Sequence, residues 1–295
     1  MKLSLNIVIA PLFVLIWSTG FVIARLAMPY VEPATFLSWR FAGVLAAMAA
    51  LSLVWKMTWP SKSQIKHIAI AGILLQFGYL MGVWFAVRLG MTAGLVAIIV
   101  GLQPILTAWF AAWISEKVSP RQWIGLAFGF AGVALVVAEK ISFVPIPLVS
   151  YLLAFIALLS ITFGTLYQKK YCPVFDLRAG SLIQFSVSAV ICFLCMYFFE
   201  SGEMVWNASV IGALLWSIFP ISIGSISLLF MMIRKGAATK VTSLLYLTPP
   251  TTALMAWLLF DEPFTVLMAA GLGLTMTGVV LVNARQTNTV ATIAE

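Results

Sequence analysis

Two stretches of this sequence place prolines inside long apolar segments, beside polar side chains that could hold a solute. Residues 100–110 read VGLQPILTAWF, and residues 246–257 read YLTPPTTALMAW. A proline inside a helix removes one hydrogen bond and displaces the carbonyl group four residues earlier. In a membrane, such freed backbone is tolerated only against protein or a water-filled cavity. We therefore predict helix breaks at Pro104, Pro249 and Pro250, next to a central pathway.

The same reasoning predicts which backbone groups lose their partners. Pro104 should free the carbonyl group of Val100, and Pro249 and Pro250 should free those of Leu245 and Tyr246. For any one proline, the alternative is a structural kink without a functional role, because proline occurs often in membrane helices.

The other candidates for binding a solute share a position well inside an apolar stretch and a polar or aromatic side chain. The complete set of predicted binding residues is Trp17, Ser18, Arg40, Gln76, Tyr79, Gln103, Phe163, Ser225, Tyr246 and Thr248. Aromatic rings give a cavity apolar walls with a polar edge, which suits a solute with an apolar side chain and a charged head. Packing or a belt at the lipid headgroups is the alternative for the aromatic members.

Arg40 is the charged residue that lies deepest within an apolar stretch. A guanidinium at membrane depth is costly, so we expect it to face other helices or to reach towards the membrane surface. It could bind a substrate carboxylate, or it could anchor the structure by pairing with backbone carbonyl groups. All nine carboxylates lie at the ends of apolar stretches or between them, which disfavours a buried proton relay.

Catalysis and metal binding are not indicated. The three cysteines, Cys172, Cys192 and Cys195, are too few for a metal site. No apolar stretch combines a nucleophile with a base, so we predict neither an enzyme nor a cofactor. The net charge of +8 reflects basic residues between apolar stretches, which set membrane topology, and we expect no nucleic-acid partner.

The composition indicates an all-helical membrane protein, because 63% of the 295 residues are hydrophobic and only 9% are charged. Stretches of about 20 apolar residues, the length of a transmembrane helix, recur along the chain. We predict ten transmembrane spans, at 5–25, 33–55, 67–87, 92–114, 120–138, 147–168, 178–199, 208–232, 238–260 and 264–283.

The basic residues predict the orientation of these spans. Arg25, Arg88 and Lys140 lie on one side, and Arg40 lies within a span. The thirteen others share the side of the N-terminus: Lys2, Lys56, Lys62, Lys66, Lys117, Arg121, Lys169, Lys170, Arg178, Arg234, Lys235, Lys240 and Arg285. Because basic residues concentrate in cytoplasmic loops, we predict a multi-pass protein of the bacterial cytoplasmic (inner) membrane with both termini in the cytoplasm.

An internal repeat divides the chain into a first half, 1–141, and a second half, 142–295. At a shift of 146 residues, ten of the 49 aligned pairs from 88 to 136 are identical, including Pro104 with Pro250. Each half holds five predicted spans, an odd number, so the two halves should be inverted in the membrane. Inverted repeats are typical of secondary transporters, which alternate access between two faces.

Glycines in the fifth and tenth predicted spans indicate close helix packing. These glycines are Gly125, Gly129 and Gly132, with Gly271, Gly273 and Gly278. We favour packing within one chain, and a homodimer is the alternative.

Several of these motifs resemble the drug/metabolite transporter superfamily, in particular its ten-helix EamA-type exporters. The matching segments are LIWSTGFVIAR at 15–25, FLSWRF at 36–41, the region 90–136 and its repeat at 236–282 with DEP at 261–263. The resemblance covers essentially the whole chain. It implies export of amino acids and related metabolites, whereas other members carry purines or nucleotide sugars. The small multidrug exporters use a glutamate in the first helix, where this chain reads WSTGF.

The sequence therefore predicts a secondary transporter that exports small polar metabolites, with amino acids as the first expectation, by alternating access. Its partners would be a small-molecule substrate and the lipid bilayer. A carrier of nucleoside-type or nucleotide-type metabolites is the alternative, and a multidrug exporter is the less favoured one.

Overall fold

A computed structural model of the chain describes residues 2–54, 57–91, 96, 99–138, 146–235, 238–260 and 265–284. Over these residues the secondary structure is helical, apart from an isolated antiparallel bridge between Val31 and Met204. Some residues named above lie outside the described ranges, among them Lys56, Lys140, the motif 261–263 and Arg285.

Eleven helices have both ends within the described residues. They are α1 (Lys2–Ala27), α2 (Pro33–Val54), α3 (Lys62–Arg88), α4 (Gln103–Trp109), α5 (Pro120–Ala138), α6 (Leu148–Tyr171), α7 (Leu177–Phe199), α8 (Ala208–Arg234), α9 (Ala238–Ser243), α10 (Thr248–Phe260) and α11 (Val266–Asn283). Short 3₁₀ segments follow α4, over Phe110–Ile114, and α9, over Leu244–Leu247.

Six of these helices are long and apolar enough to cross a membrane: α2, α3, α6, α7, α8 and α11. They confirm six of the predicted spans and make the chain a multi-pass membrane protein by length and composition. The remaining four predicted spans, at 5–25, 92–114, 120–138 and 238–260, stay predictions.

Polar side chains cap the starts of several helices. Ser61 and the side chain of Gln64 form a reciprocal capping box at the start of α3. The side chain of Asn207 accepts from the Val210 N–H at the start of α8, and that of Thr265 accepts from Met268 at the start of α11. Such caps satisfy N–H groups that have no acceptor within the helix, so they fix where the helices begin.

The prolines singled out above lie in the first turn of a new helix rather than inside an unbroken one. A turn precedes α4, so Pro104 is the second residue of that helix. Pro249 likewise follows Thr248 at the start of α10. Proline is well tolerated there because first-turn N–H groups have no helical acceptor. The prediction that Leu245 loses its partner is wrong, because its carbonyl group accepts from the Thr248 N–H.

Two long helices contain a wider, π-helical segment. In α3 it spans Ile73–Gly78, and in α8 it spans Ser217–Ser225, which includes Pro220. The N–H of Ile226 donates to the carbonyl five residues earlier, and Pro220 itself has no N–H to donate. Single π turns in α-helices often mark functional sites, because they re-aim the side chains on one face.

The helices pack in a limited set of pairs. Helix α5 packs along α11, α2 along α7, and α3 along α6, while α1 contacts both α8 and α10, and α4 contacts α6. The largest buried apolar cluster includes Phe13 of α1, Phe41 of α2, Phe185 of α7 and Phe230 of α8. The core therefore joins helices from both ends of the sequence.

Glycines allow α5 and α11 to approach backbone to backbone. A Cβ atom on Gly278 would lie 2.8 Å from the Cα of Gly129, and one on Gly132 would lie 2.6 Å from the carbonyl oxygen of Gly271. This arrangement confirms the predicted packing within the chain for these glycines. Gly273 is a correction: a Cβ atom there would have no neighbour within 4 Å, so it lies outside the seam.

Replacing Gly278 with alanine should therefore destabilise the protein, because the new methyl group forces the α5 and α11 backbones apart. Overpacking of this kind costs about 1–3 kcal/mol. Gly273→Ala is the matched control, and we expect no loss of stability from it, since alanine favours the helix. Thermal unfolding of the detergent-solubilised protein, followed by tryptophan fluorescence, measures both variants. Equal melting temperatures for the two would contradict the seam.

The connection between α1 and α2 is fastened to the end of α7 by Glu200. One oxygen of this carboxylate accepts from the Ala34 N–H at 2.7 Å, and the other accepts from the N–H and hydroxyl of Thr35 at 2.7 and 2.8 Å. A carboxylate at a helix N-terminus gains from charge-assisted hydrogen bonds and from the helix dipole. Glu200 therefore caps α2 from a distant part of the chain.

A second carboxylate completes this contact. Glu32 pairs with Arg88 at the end of α3, and it accepts from the Ser201 N–H at 2.8 Å. Beside it, the Val205 N–H donates to the carbonyl of Tyr30 at 3.0 Å. We call the contacts of Glu32 and Glu200 the clasp, because they tie the α1–α2 connection to the α7–α8 connection.

At the opposite end of α2, Asp176 caps α7. Hydrogen bonds from the Arg178 guanidinium and from the N–H groups of Thr58 and Arg178 hold the pKa of this carboxyl well below its usual range. The described part of the α2–α3 connection contributes the Thr58 N–H, at 3.1 Å. Asp176 thus remains charged at neutral pH and joins this connection to α7.

Glu200→Gln should weaken the clasp, because the amide has one acceptor oxygen and presents N–H groups to backbone donors. We expect a loss of about 1–2 kcal/mol in unfolding free energy, typical of a lost helix cap. Glu203→Gln is the control, since Glu203 is exposed and its side chain makes no hydrogen bond among the described residues. If chemical unfolding in detergent micelles affects both variants equally, Glu200 does not act as a cap.

Candidate functional site

A central cavity lies where α4 and α10 begin. It encloses about 500 Å³ of atom-free space, part of which opens to the exterior. Seven of the residues predicted from the sequence line it: Trp17, Tyr79, Gln103, Pro104, Tyr246, Thr248 and Pro249. The first turns of α4 and α10 therefore form part of the cavity wall.

Apolar side chains supply the rest of the wall, and sequence reasoning did not single them out for this role. They are Val83, Val96, Val100, Val133, Ile161 and Leu245, with Gly101 at the turn before α4. Valine and isoleucine are so common in this chain that only the packing of helices distinguishes these positions from lipid-facing ones.

Two aromatic rings stand beside each other in the cavity wall. The rings of Trp17 and Tyr79 are nearly parallel, at 12°, with 6.5 Å between their centroids. The Phe13 ring packs against Trp17, with 5.4 Å between the ring centroids. Because Phe13 is fully buried, the indole is held in place by packing on α1.

Tyr246 reaches the cavity because α5 carries a glycine opposite it. A Cβ atom on Gly129 would overlap the Tyr246 ring, which is 1% exposed. The sequence indicated Gly129 as a packing position, but it gave no sign of this partner. The glycine thus makes room for an aromatic ring between α5 and the start of α10.

Three lining residues carry a buried polar atom without a hydrogen-bond partner among the described residues. These atoms are Oε1 of Gln103, the hydroxyl of Tyr246 and the hydroxyl of Thr248. Leaving such a group unpaired costs about 1–3 kcal/mol in each case. Such atoms also occur away from the cavity, for example in Ser38 and Ser225, but the three in its lining are placed to pair with a polar ligand.

Ser18 does not line the cavity but fixes α1 against the start of α10. Its hydroxyl donates to the carbonyl of Val14 at 2.7 Å and lies 3.4 Å from that of Thr248. In return, the Thr252 hydroxyl donates to the Ser18 carbonyl at 3.1 Å. Ser18 therefore positions the cavity wall.

A second, smaller space, the side cavity, adjoins the central one. It spans about 350 Å³ of atom-free space, part of which opens to the exterior. Gln76, Thr165 and Thr242 line the side cavity and not the central one. No charged side chain lines either cavity in the part of the chain that the structure describes.

Arg40 lies outside both cavities. It is 5% exposed, and its Nε donates to the hydroxyl of Ser222 at 2.9 Å, in the π-helical segment of α8. Of the two roles considered, the structure shows a structural contact, although with a hydroxyl rather than with carbonyl groups. Ser225 is also buried in this segment, and it does not line either cavity.

Phe163, another predicted binding residue, packs against aromatic rings outside the two cavities. Its ring contacts Phe110 at 5.1 Å and Trp113 at 6.5 Å. Both partners are more than a third exposed. Phe163 therefore packs the 3₁₀ segment after α4 onto α6, and it lines neither cavity.

A multi-pass helical bundle with interrupted helices beside a central cavity is typical of membrane transporters. The sequence model of the EamA-like transporter family matches residues 5–138 and again 148–284. The chain belongs to this family, as the motifs in its sequence predicted. It is accordingly a transporter and not an enzyme.

Curated relatives agree with this family. The transporter YvbV of Bacillus subtilis (strain 168), named as uncharacterized, is 30% identical over 281 residues, which cover 92% of this chain and 89% of that protein. A probable amino-acid metabolite efflux pump of Escherichia coli (strain K12) is 23% identical over 282 residues, 92% of each chain.

The fold also matches a solved crystal structure. That structure covers 93% of this chain and 96% of its own, with a TM-score of 0.79 and 19% sequence identity. At this identity the match establishes the shared fold alone.

Proposed function

We propose that this chain is a secondary transporter that exports small polar metabolites, with amino acids and related compounds as its substrates, across the cytoplasmic (inner) membrane. The observation that carries this proposal is the central cavity, whose unpaired polar atoms lie beside apolar and aromatic walls. A zwitterionic head can bond with Gln103, Tyr246 and Thr248, while an apolar side chain packs against valines. The name of the Escherichia coli relative, an amino-acid metabolite efflux pump, supports this substrate class.

The transport mechanism that we propose is alternating access between two inverted halves, 1–141 and 142–295, with ten transmembrane spans in all. The positions of the helices support it. Helices α3 and α8 begin at Lys62 and Ala208, 146 residues apart, and α5 and α11 begin at Pro120 and Val266, also 146 apart. The π-helical segments of α3 and α8 overlap at the same shift.

Helix packing supports the repeat independently. A two-fold relation that exchanges α1 with α6, α3 with α8 and α4 with α10 would turn the α1–α8 contact into the α6–α3 contact. It would also turn the α1–α10 contact into the α6–α4 contact, and all four contacts occur. The pairs α2–α7 and α5–α11 would lie across the axis. Rocking of one half against the other would then open the central cavity to each face in turn.

The charge distribution supports an orientation with both termini in the cytoplasm, as set out above. In that orientation the clasp lies on the outer face, and Asp176 lies on the inner face. Release of the clasp is then a required step for opening outwards.

A carrier of nucleosides is the second candidate, and the near-parallel rings of Trp17 and Tyr79 are the observation that favours it. Aromatic faces stack well on nucleobases. The phosphate groups of a nucleotide would need cationic partners, and the described lining contains none. This candidate therefore extends to nucleosides and free bases.

Counterflow in proteoliposomes tests the proposal. Vesicles loaded with an unlabelled neutral amino acid should accumulate the labelled form transiently, whereas vesicles loaded with adenosine should not. Exchange of adenosine without exchange of any amino acid would replace the first candidate with the second.

Single alanine substitutions at Trp17, Gln103 and Tyr246 should lower this exchange at least tenfold, because each removes a wall or a polar contact of the central cavity. A tenfold change corresponds to about 1.4 kcal/mol of transition-state free energy. Trp123→Ala is the matched control, because Trp123 is 38% exposed on α5 and lies outside the cavity. Equal loss of flux in all four variants would rule out the assigned pathway.

A further inference from the structure

The proposed repeat makes two helix contacts equivalent, that of α3 with α6 and that of α8 with α1. In α3 and α8 the equivalent residues are 146 apart, as the first residues of the two helices show. In α1 and α6 they are 144 apart, because two local features recur at that shift. The hydroxyls of Ser18 and Thr162 each donate to the carbonyl four residues earlier, at 2.7 Å in both cases. Trp17 and Ile161, which precede them, both line the central and the side cavity.

Glycines bring α3 and α6 close together. A Cβ atom on Gly164 would lie 2.8 Å from the side chain of Leu75, and one on Gly78 would lie 2.6 Å from the Ser160 hydroxyl. Both distances are shorter than a normal van der Waals contact. The α3–α6 contact is therefore closed, with no room for a methyl group at either glycine.

The equivalent glycines of α1 and α8 are further apart from the facing helix. Gly20 and Ile221 take the places of Gly164 and Leu75, but the corresponding distance is 3.8 Å. The other equivalent glycine, Gly224, would bring a Cβ atom within 4 Å of a carbonyl oxygen of its own helix, at 3.6 Å, and of no described atom of α1. The α1–α8 contact is therefore an open form of the α3–α6 contact.

The open contact leaves the small size of its glycines unused. Glycine within a helix is less favourable than alanine, and a methyl group at Gly20 or Gly224 would fit here without displacing the facing helix. Close helix approach is the usual role of glycine between membrane helices. A second conformation in which α1 closes onto α8 would give both glycines that role.

Ser225 is an independent sign of a second conformation. It lies 146 residues after Tyr79, which lines the central cavity. Ser225 is fully buried outside both cavities, and its hydroxyl has no hydrogen-bond partner among the described residues. An unpaired buried hydroxyl is costly. If α8 took the packing that α3 has now, Ser225 would lie in the cavity wall, where water or a solute would pair with its hydroxyl.

We infer that the two contacts close alternately: α1 packs against α8 through Gly20 and Gly224 while α3 separates from α6, and the structure shows one end of this movement. The inference rests on the proposed function, and it identifies the surfaces that move when one half rocks against the other.

Alanine at Gly224 tests the alternation. Its methyl group meets no other helix here, so the melting temperature should be unchanged or higher. In the second conformation the methyl group would collide with α1, as one at Gly78 would now collide with α6. Counterflow of a labelled neutral amino acid should therefore fall at least tenfold, and Gly20→Ala should act likewise. Gly212→Ala is the control on the same helix, because a Cβ atom there has no neighbour within 4 Å and the equivalent residue, Lys66, is exposed.

If Gly20→Ala and Gly224→Ala both transport as well as Gly212→Ala does, in an assay where the wild type is active, the inference is overturned and the proposed function stands.

Hydrogen–deuterium exchange of the solubilised protein tests the movement without transport. Gly78→Ala places a methyl group in the closed contact, so deuterium uptake should rise in α3 and α6 and fall in α1 and α8. Gly224→Ala should produce no such shift. A rise in all four helices of Gly78→Ala would indicate loss of structure and count against the alternation. The expected shift in a protein that exchanges no amino acid would support the alternation and remove the proposed substrate class.

Discussion

Every backbone polar group in a membrane-spanning helix needs a partner inside the chain, because lipid offers none. The structure departs from regular α-helix where α4 and α10 begin and in the π segments of α3 and α8, and all of these except the α8 segment contribute residues to the cavity walls. The 3₁₀ bond from Thr248 to Leu245 shows how the chain keeps backbone groups paired next to such an interruption. The irregular backbone and the cavities thus depend on each other: each would be costly in contact with lipid.

Close helix packing surrounds the irregular segments at the central cavity. The α5–α11 seam brings two backbones together through glycines, and Gly129 in the same region admits the Tyr246 ring. One helix surface therefore serves both as a rigid contact and as a wall of the central cavity. The contacts of α1 with α8 and α10 close the other side, where Ser18 and Thr252 join the backbones through their hydroxyl groups.

Much of this could be predicted from local sequence, and the rest depends on distant partners. Runs of apolar residues identified the confirmed spans. The positions of glycine and proline indicated the family, the α5–α11 seam and the interruptions where α4 and α10 begin. Periodicity cannot tell a proline inside a helix from one in its first turn, so the geometry at Pro249 was missed. The segment Ile73–Gly78 carries no proline to signal a π turn. Glu200 lies 166 residues from Ala34, which it caps, and no local pattern encodes that pairing.

The clasp has a thermodynamic consequence. Two carboxylates fasten the α1–α2 end. At the opposite end, Thr58 bonds to Asp176, His67 bonds to the Tyr167 hydroxyl, and Lys170 donates to the carbonyl of Trp113. In the proposed alternating-access cycle, any difference in strength between these two sets of contacts gives the two open conformations unequal populations. A solute that binds only the rarer conformation shows a weaker apparent affinity, in proportion to the fraction present. The same carrier would then saturate at different concentrations on its two sides, while the final distribution of solute would still follow the gradient alone.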